Sequence, residues 1–222
     1  MGLRGDYTIG FGGSQITGIE TLALLSASDP RYAPATGQDF DYFPTLNDGF
    51  VTGTSQFTVN GNGLRADETM VVDGSGETTG SLKMIGGAAA DTLTGGGGTD
   101  SIFGGLGADT LRGNGGADTF IYSDIAQSTT SAADQIKDFA HDVDKIDLSL
   151  IDADGIAAGN QAFSWIGGNA FTGSGAASAG QLRAYLNGGT WFVEGDTNGD
   201  GTSDFVILVD AAQPLTASDF LF

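Results

Sequence analysis

The sequence has no cysteine and only one histidine, His141, among its 222 residues. The first absence excludes a disulfide framework, a thiolate metal site and a thiol nucleophile. The second excludes a zinc site built on two histidines. A Ser/His/Asp triad would have to use His141, which lies in the acidic run AHDVDK and is read as exposed, and no GxSxG elbow accompanies it. Aspartates for paired-carboxylate chemistry are plentiful, but abundance is not geometry. The chain is therefore read as non-catalytic by itself: the tail of an enzyme, or of a surface protein, whose other domain lies outside this sequence.

Basic residues are also scarce. Eight Lys and Arg stand against 28 Asp and Glu, a formal net charge of -20. Such a surface repels nucleic-acid phosphates and anionic membranes and attracts cations. Crowded carboxylates also oppose compaction unless counter-ions neutralise them, so a metal-dependent fold is expected. No apolar run approaches the roughly 18 to 20 residues of a membrane span. The opening MGLRGDYTIG lacks the charged head and apolar core of a cleaved signal peptide. Tyr7 and Ile9 already read as strand, which points to a fragment of a longer protein.

What the chain has in abundance is glycine, 38 residues, and in the middle of the sequence glycine keeps a register. Residues 86–121 align in nines as GGAAADTLT, GGGGTDSIF, GGLGADTLR and GNGGADTFI. The sixth place is always aspartate (Asp91, Asp100, Asp109, Asp118), and the eighth is always apolar (Leu93, Ile102, Leu111, Phe120). A flexible linker has no reason to keep an acidic and an apolar place in step over four repeats. Nine residues are too few for a helical repeat and suit a half-turn of a parallel β-roll, six residues turning and three forming a strand. Glycine allows the turn its positive φ angles, and the eighth residue points inward. Successive half-turns face opposite sides, so like turns stack eighteen residues apart: Asp91 over Asp109 and Asp100 over Asp118. Each pair offers two carboxylates and several turn carbonyls, an oxygen-only donor set that suits Ca2+ better than Mg2+ or Zn2+.

The repeats resemble the RTX calcium-binding repeat, GGxGxDxUx. Carried over by position, the resemblance implies the four aspartates as ligands, joined by first- and third-place carbonyls: Gly86, Ala88, Gly95, Gly97, Gly104, Leu106, Gly113 and Gly115. Two places depart from the pattern. Ala89 replaces a fourth-place glycine, and Asn114 a second-place glycine, although asparagine tolerates left-handed geometry.

After residue 121 the composition changes. The segments DQIKDF, DKIDLS, FSWIGGNAFTG, GQLRAYL and DTNGDGTSDFVILV, with the ending LTASDFLF, resemble the C-terminal module of the serralysins, over about residues 86–222. The protease domain of that family carries HExxH, which this chain lacks. Residues Gln135–Phe139 and Val143–Leu148 alternate like half-buried strands, with Phe163, Trp165, Ile166 and Phe171 as a local core. Such a segment would cap the open end of the roll. Asp134, Asp138, Asp144 and Asp147 read either as completing a calcium site against the last repeat or as a solvated acidic loop. Asp196, Asn198 and Asp200 begin an EF-hand-like loop with Gly201 sixth, but Ile207 stands where the bidentate Glu belongs. An acidic hairpin turn with at most weak calcium binding is the favoured reading, leading into a buried strand at FVILV.

Residues 1–85 read as broader solenoid turns, with strand-like pieces at 16–26, 53–60, 68–75 and 80–87. They resemble, more loosely, the β-solenoid modules that precede RTX repeats in S-layer and adhesin-like chains. Within them, 32–50 reads as an aromatic and acidic loop, holding Tyr32, Phe40, Tyr42, Phe43 and Phe50 with Asp39, Asp41 and Asp48. It is either a lid on its own solenoid or a contact for sugar or protein.

The expected fold is all-β: a solenoid-like segment over 1–85, a β-roll over 86–121 and a β cap over 122–222. The resemblance implies a calcium-binding module of a secreted bacterial protein, extracellular or at the cell surface, with type I secretion machinery as partner and an export signal at the C-terminus. Alternatives are calcium-dependent anchoring among surface-layer chains, and polysaccharide binding beside a carbohydrate-modifying enzyme.

Overall fold

The protein is described by a computed structural model covering residues 2–3, 7–11, 20–29, 40–49, 51, 56–173, 175 and 178–222. The chain divides into two compact units, Met1–Thr119 and Phe120–Phe222. The strands of the first are β1 (Gly2–Leu3), β2 (Tyr7–Phe11), β3 (Thr21–Leu24), β4 (Tyr42–Asn47), β5 (Gln56–Asn60), β6 (Val71–Gly76), β7 (Ser81–Ile85), β8 (Thr92–Thr94), β9 (Ser101–Phe103) and β10 (Thr110–Arg112), with β11 (Thr119–Ile121) beginning at its end.

Consecutive strands alternate between two sheets, ordered β1-β3-β5-β7-β9 and β2-β4-β6-β8-β10, so the chain winds as a parallel β-roll. Tyr7 pairs with Tyr42, Gln56 with Ser81, Val71 with Thr92 and Lys83 with Ser101, so a full turn shortens from 35 residues to 25, 21 and then 18. The repeats wind at that last spacing, Thr92 on Thr110. Their strands are three residues long because places one to six turn, leaving one inward side chain per strand. Those side chains stack in register, Val72 on Leu93 on Leu111 along one wall and Val59 on Met84 on Ile102 along the other, all 0 % exposed. Each such burial stabilises the roll by about 2 kcal/mol.

The stretch 32–50 is not a single loop. Tyr42, Pro44 and Leu46 alternate inward in β4, and the Tyr42 hydroxyl donates to the Leu25 carbonyl at 2.7 Å. Its aromatic and proline content hid a period-two pattern. Phe40 is buried and Phe43 exposed, whereas Tyr32, Asp39 and Phe50 lie outside the described residues. Asp41 and Asp48 accept hydrogen bonds from Thr69 and Thr78.

The second unit contains β12 (Asp134–Phe139), β13 (Lys145–Asp147), β14 (Ser164–Trp165), β15 (Gln181–Asn187), β16 (Thr190–Asp196), β17 (Phe205–Ala211) and β18 (Phe220–Leu221). β15, β16 and β17 form an antiparallel meander; β17 also pairs in parallel with β12, and β13 with β18. The strand expected from Val143 starts two residues later, because Asp144 Oδ2 accepts the Ala140 N–H at 2.8 Å and closes a turn that leaves Val143 exposed. Of the expected local core, Phe163 is buried edge-on to Phe205 at 5.7 Å; Trp165, Ile166 and Phe171 are half-buried. Among the described residues no helix is long and apolar enough to cross a membrane.

Candidate metal centre

The sixth-place aspartates stand where each turn becomes a strand, and all four are at most 2 % exposed. Backbone N–H groups from two coils fix them. Asp91 Oδ1 accepts from Met70 at 2.8 Å and Oδ2 from Gly87 at 2.7 Å; Asp100 accepts from Leu82 and Gly96, both at 2.7 Å. One coil on, Asp109 Oδ1 accepts the Asp91 N–H at 2.8 Å and Asp118 Oδ1 the Asp100 N–H at 2.9 Å. Two columns result, Asp91 with Asp109 and Asp100 with Asp118.

First-place glycine makes room for these oxygens. A Cβ on Gly86 would lie 1.8 Å from the Gly104 carbonyl oxygen and 2.7 Å from Asp91 Oδ2. On Gly95 it would lie 2.3 Å from Asp100 Oδ2 and 2.7 Å from the Gly113 carbonyl oxygen. At each position a carboxylate oxygen and a carbonyl oxygen of the next stacked turn converge on space that a side chain would fill. The first-place residues Gly86, Gly95, Gly104 and Gly113 are buried. The third-place residues are not: Ala88 is half-buried, and Gly97, Leu106 and Gly115 are exposed. Asn114 takes the left-handed conformation (φ 63°), and its side-chain amide donates to the Gly95 carbonyl at 2.7 Å, so the asparagine engages a carbonyl that a metal would share.

The electrostatics of the columns favour a cation. Burial pushes Asp91 and Asp100 up to about 6 and Asp109 up to about 7, with backbone N–H groups pulling partly back. Glu77 beside Asp100 and Asp91 beside Asp109 add like-charge repulsion. Among the described residues no Lys, Arg or His forms an ion pair with Asp91 or Asp100. Keeping Asp91 or Asp100 ionised at neutral pH costs on the order of 3 kcal/mol apiece, which a divalent ion would offset. Converging carboxylate and carbonyl oxygens without nitrogen or sulfur match the chemistry of calcium.

The other sequence-predicted residues are more dispersed. Asp134 is buried at the start of β12, Asp138 lies in the same strand, and Asp147 Oδ1 accepts from the Ser149 N–H and hydroxyl at 2.9 and 2.6 Å. Among the described residues, Asp134, Asp138, Asp144 and Asp147 do not form a cluster of three carboxylates around one point. Residues 197–204 form the turn between β16 and β17, and its oxygens take the turn's own N–H groups. Asp196 accepts from Gly199 and Gly201 at 2.7 and 2.9 Å, Asn198 from Asp200 at 2.9 Å, and Asp200 from Thr202 at 2.8 Å.

In the first unit two buried acids escaped sequence reasoning. Glu68 and Glu77 are 0 % exposed. Glu68 accepts the N–H groups of Ala27 and Arg65 at 2.7 and 2.9 Å; Glu77 accepts those of Gly80 and Val51 at 3.0 and 3.1 Å. Extending the nine-residue register back to ETTGSLKMI (77–85) would have flagged Glu77, since it puts Gly80 fourth and Met84 at the apolar place, with Leu82 where aspartate belongs. His141, expected to be exposed, is half-buried, because the fully buried Asp219 holds its ring.

Comparison with known proteins agrees with this architecture. The family described as Peptidase M10 serralysin C terminal matches residues 56–222, most of the chain. No curated protein matches it.

Proposed function

The chain belongs to the serralysin C-terminal family, and from that premise we propose that it is a calcium-dependent folding and stabilising module of a secreted protein, non-catalytic by itself. The match covers the family's C-terminal part and not its protease part. The observation that carries the reading is the pair of buried carboxylate columns, converging with turn carbonyls on space kept clear by first-place glycines. In this reading Asp91 and Asp109 hold ions on one side of the roll, and Asp100 and Asp118 on the other, with first-place carbonyls alongside. Bound calcium supplies the positive charge that lets these acids stay ionised while buried.

Where free calcium is scarce, the ionised acids repel one another and the glycine-rich turns gain entropy by staying open. An unfolded chain suits passage through a type I secretion channel. Outside the cell, weak sites of roughly millimolar affinity fill, and because only the wound form gathers the oxygens, binding shifts the equilibrium toward it. Stacked coils then fold together. Far-UV circular dichroism of the full chain tests this: a chelator should abolish most of the β signal and excess calcium restore it. A spectrum unchanged by chelation would sink the proposal.

A further inference from the structure

The single histidine lies in the turn between β12 and β13, and its ring is approached by carboxylates from both edges. Nδ1 is 2.9 Å from both oxygens of Asp219, and Nε2 is 3.2 Å from Asp142 Oδ2. A neutral imidazole carries one N–H. Whichever nitrogen holds it, the other directs a lone pair at a carboxylate oxygen. The arrangement therefore calls for a second positive centre on the ring, a proton or a metal ion.

The surroundings decide which nitrogen keeps the proton. Asp219 is 0 % exposed and also accepts the N–H groups of Asp142 and Thr216, at 3.0 and 2.7 Å. Buried and already accepting two backbone N–H groups, Asp219 stands as a fixed acceptor beside Nδ1, so the ring proton stays on that nitrogen. Nε2 then faces Asp142, whose side chain is 66 % exposed, whose backbone is left-handed (φ 63°), and whose other oxygen accepts from the Ser218 hydroxyl at 2.9 Å.

We propose that His141 Nε2 and Asp142 Oδ2 form a surface site for a divalent transition metal of the Zn2+ class, with Asp219 as the carboxylate behind the ligating histidine. The 3.2 Å between the two donor atoms is close to the edge of a tetrahedron with bonds of about 2.0 to 2.1 Å, roughly 3.3 Å. A buried carboxylate on the far ring N–H fixes the tautomer and raises the basicity of the ligating nitrogen. Mixed nitrogen and oxygen donors separate this site from the oxygen-only columns of the repeats, which suit calcium. Water completes the coordination on the exposed side.

One histidine in the chain means one set of ring resonances, and that makes the test direct. The calcium-saturated full chain is titrated with zinc chloride at neutral pH while the His141 ring is followed by NMR. Zinc should shift both carbon-bound ring protons and the Nε2 resonance, with Nδ1 remaining protonated. Asp142→Ala should weaken binding at least tenfold, and Asp219→Asn by roughly 10- to 100-fold. Because Asp219→Asn also touches the C-terminal packing, the exposed Asp142→Ala is decisive, after its calcium-bound circular dichroism is matched to the parent. Ring resonances indifferent to zinc, or an Asp142→Ala titration equal to the parent's, would overturn the proposal.

Discussion

In the second unit, Glu194 is nearly buried and meets a guanidinium: Arg183 Nε donates to Oε2 at 2.8 Å, while the Tyr185 hydroxyl donates to Oε1 at 3.0 Å. Asp219 of the same unit is closed against His141. In the first unit, Asp91 and Asp100 are buried at least as deeply, yet the hydrogen bonds they accept come from backbone N–H groups. Glu194 and Asp219 meet a counter-charge from their own unit, whereas Asp91 and Asp100 form no ion pair with a described basic residue. Arg112 is the one basic residue in the four repeats. The stability of the two aspartate columns should therefore depend on ions in a way that the contacts of Glu194 and Asp219 do not.

The largest expected effect is in pH dependence without metal. Asp91, Asp100 and Asp109 have folded-state values raised from 3.8 to about 6, 6 and 7. In chelator their contribution is fully present below about 4 and is lost as pH rises through 6 to 7. Asp219, held below the usual range, has the opposite sign: its contribution is present above that range and is lost as pH falls through its own lowered value. Hydrogen exchange in chelator should thus show the repeats better protected near pH 4 than at pH 7. Flat protection across that range would break the comparison, whereas addition of calcium at pH 7 should restore the repeats.

Next in size is Gly86→Ala, whose Cβ would strike the Gly104 carbonyl. It should cost on the order of 3 kcal/mol or more, measured by denaturant unfolding in saturating calcium. Its counterpart Gly188→Ala, in the β15–β16 turn, has φ 62° but nothing within 4 Å of the new Cβ, so conformational strain alone predicts about 1 kcal/mol. Equal losses would mean that the packing around Gly86 yields. Between them falls Glu194→Gln, which should cost about 2 kcal/mol by leaving Arg183 poorly paired. That loss should be the same with and without calcium; a calcium-dependent loss would show that the second unit's charges are not settled internally.

The repeat register was legible because everything it encodes lies within one or two periods: turn glycines, one inward apolar residue, and an aspartate bonding to a backbone group eighteen residues away. Tyr42, Glu68 and His141 escaped it for a common reason. Each has a hydrogen-bond partner far along the chain: Leu25, Ala27 and Asp219 lie 17, 41 and 78 residues away. No local periodicity reports contacts at such irregular separations. Within residues 122–222 the segments 135–139, 143–148 and 205–209 were readable as strands, since alternation and apolar runs are local, but how the strands pair was not.

By itself the sequence determined the pitch of the repeats, the apolar wall and the oxygen chemistry of the turns, because a nine-residue period dictates which side chain faces in and which backbone positions must lack a Cβ. The tertiary structure alone decided which carboxyls are buried and where counter-charge comes from. Burial and charge pairing depend on every coil stacked around a residue, so an aspartate in a repeat and one beside a histidine look alike in sequence while meeting different surroundings.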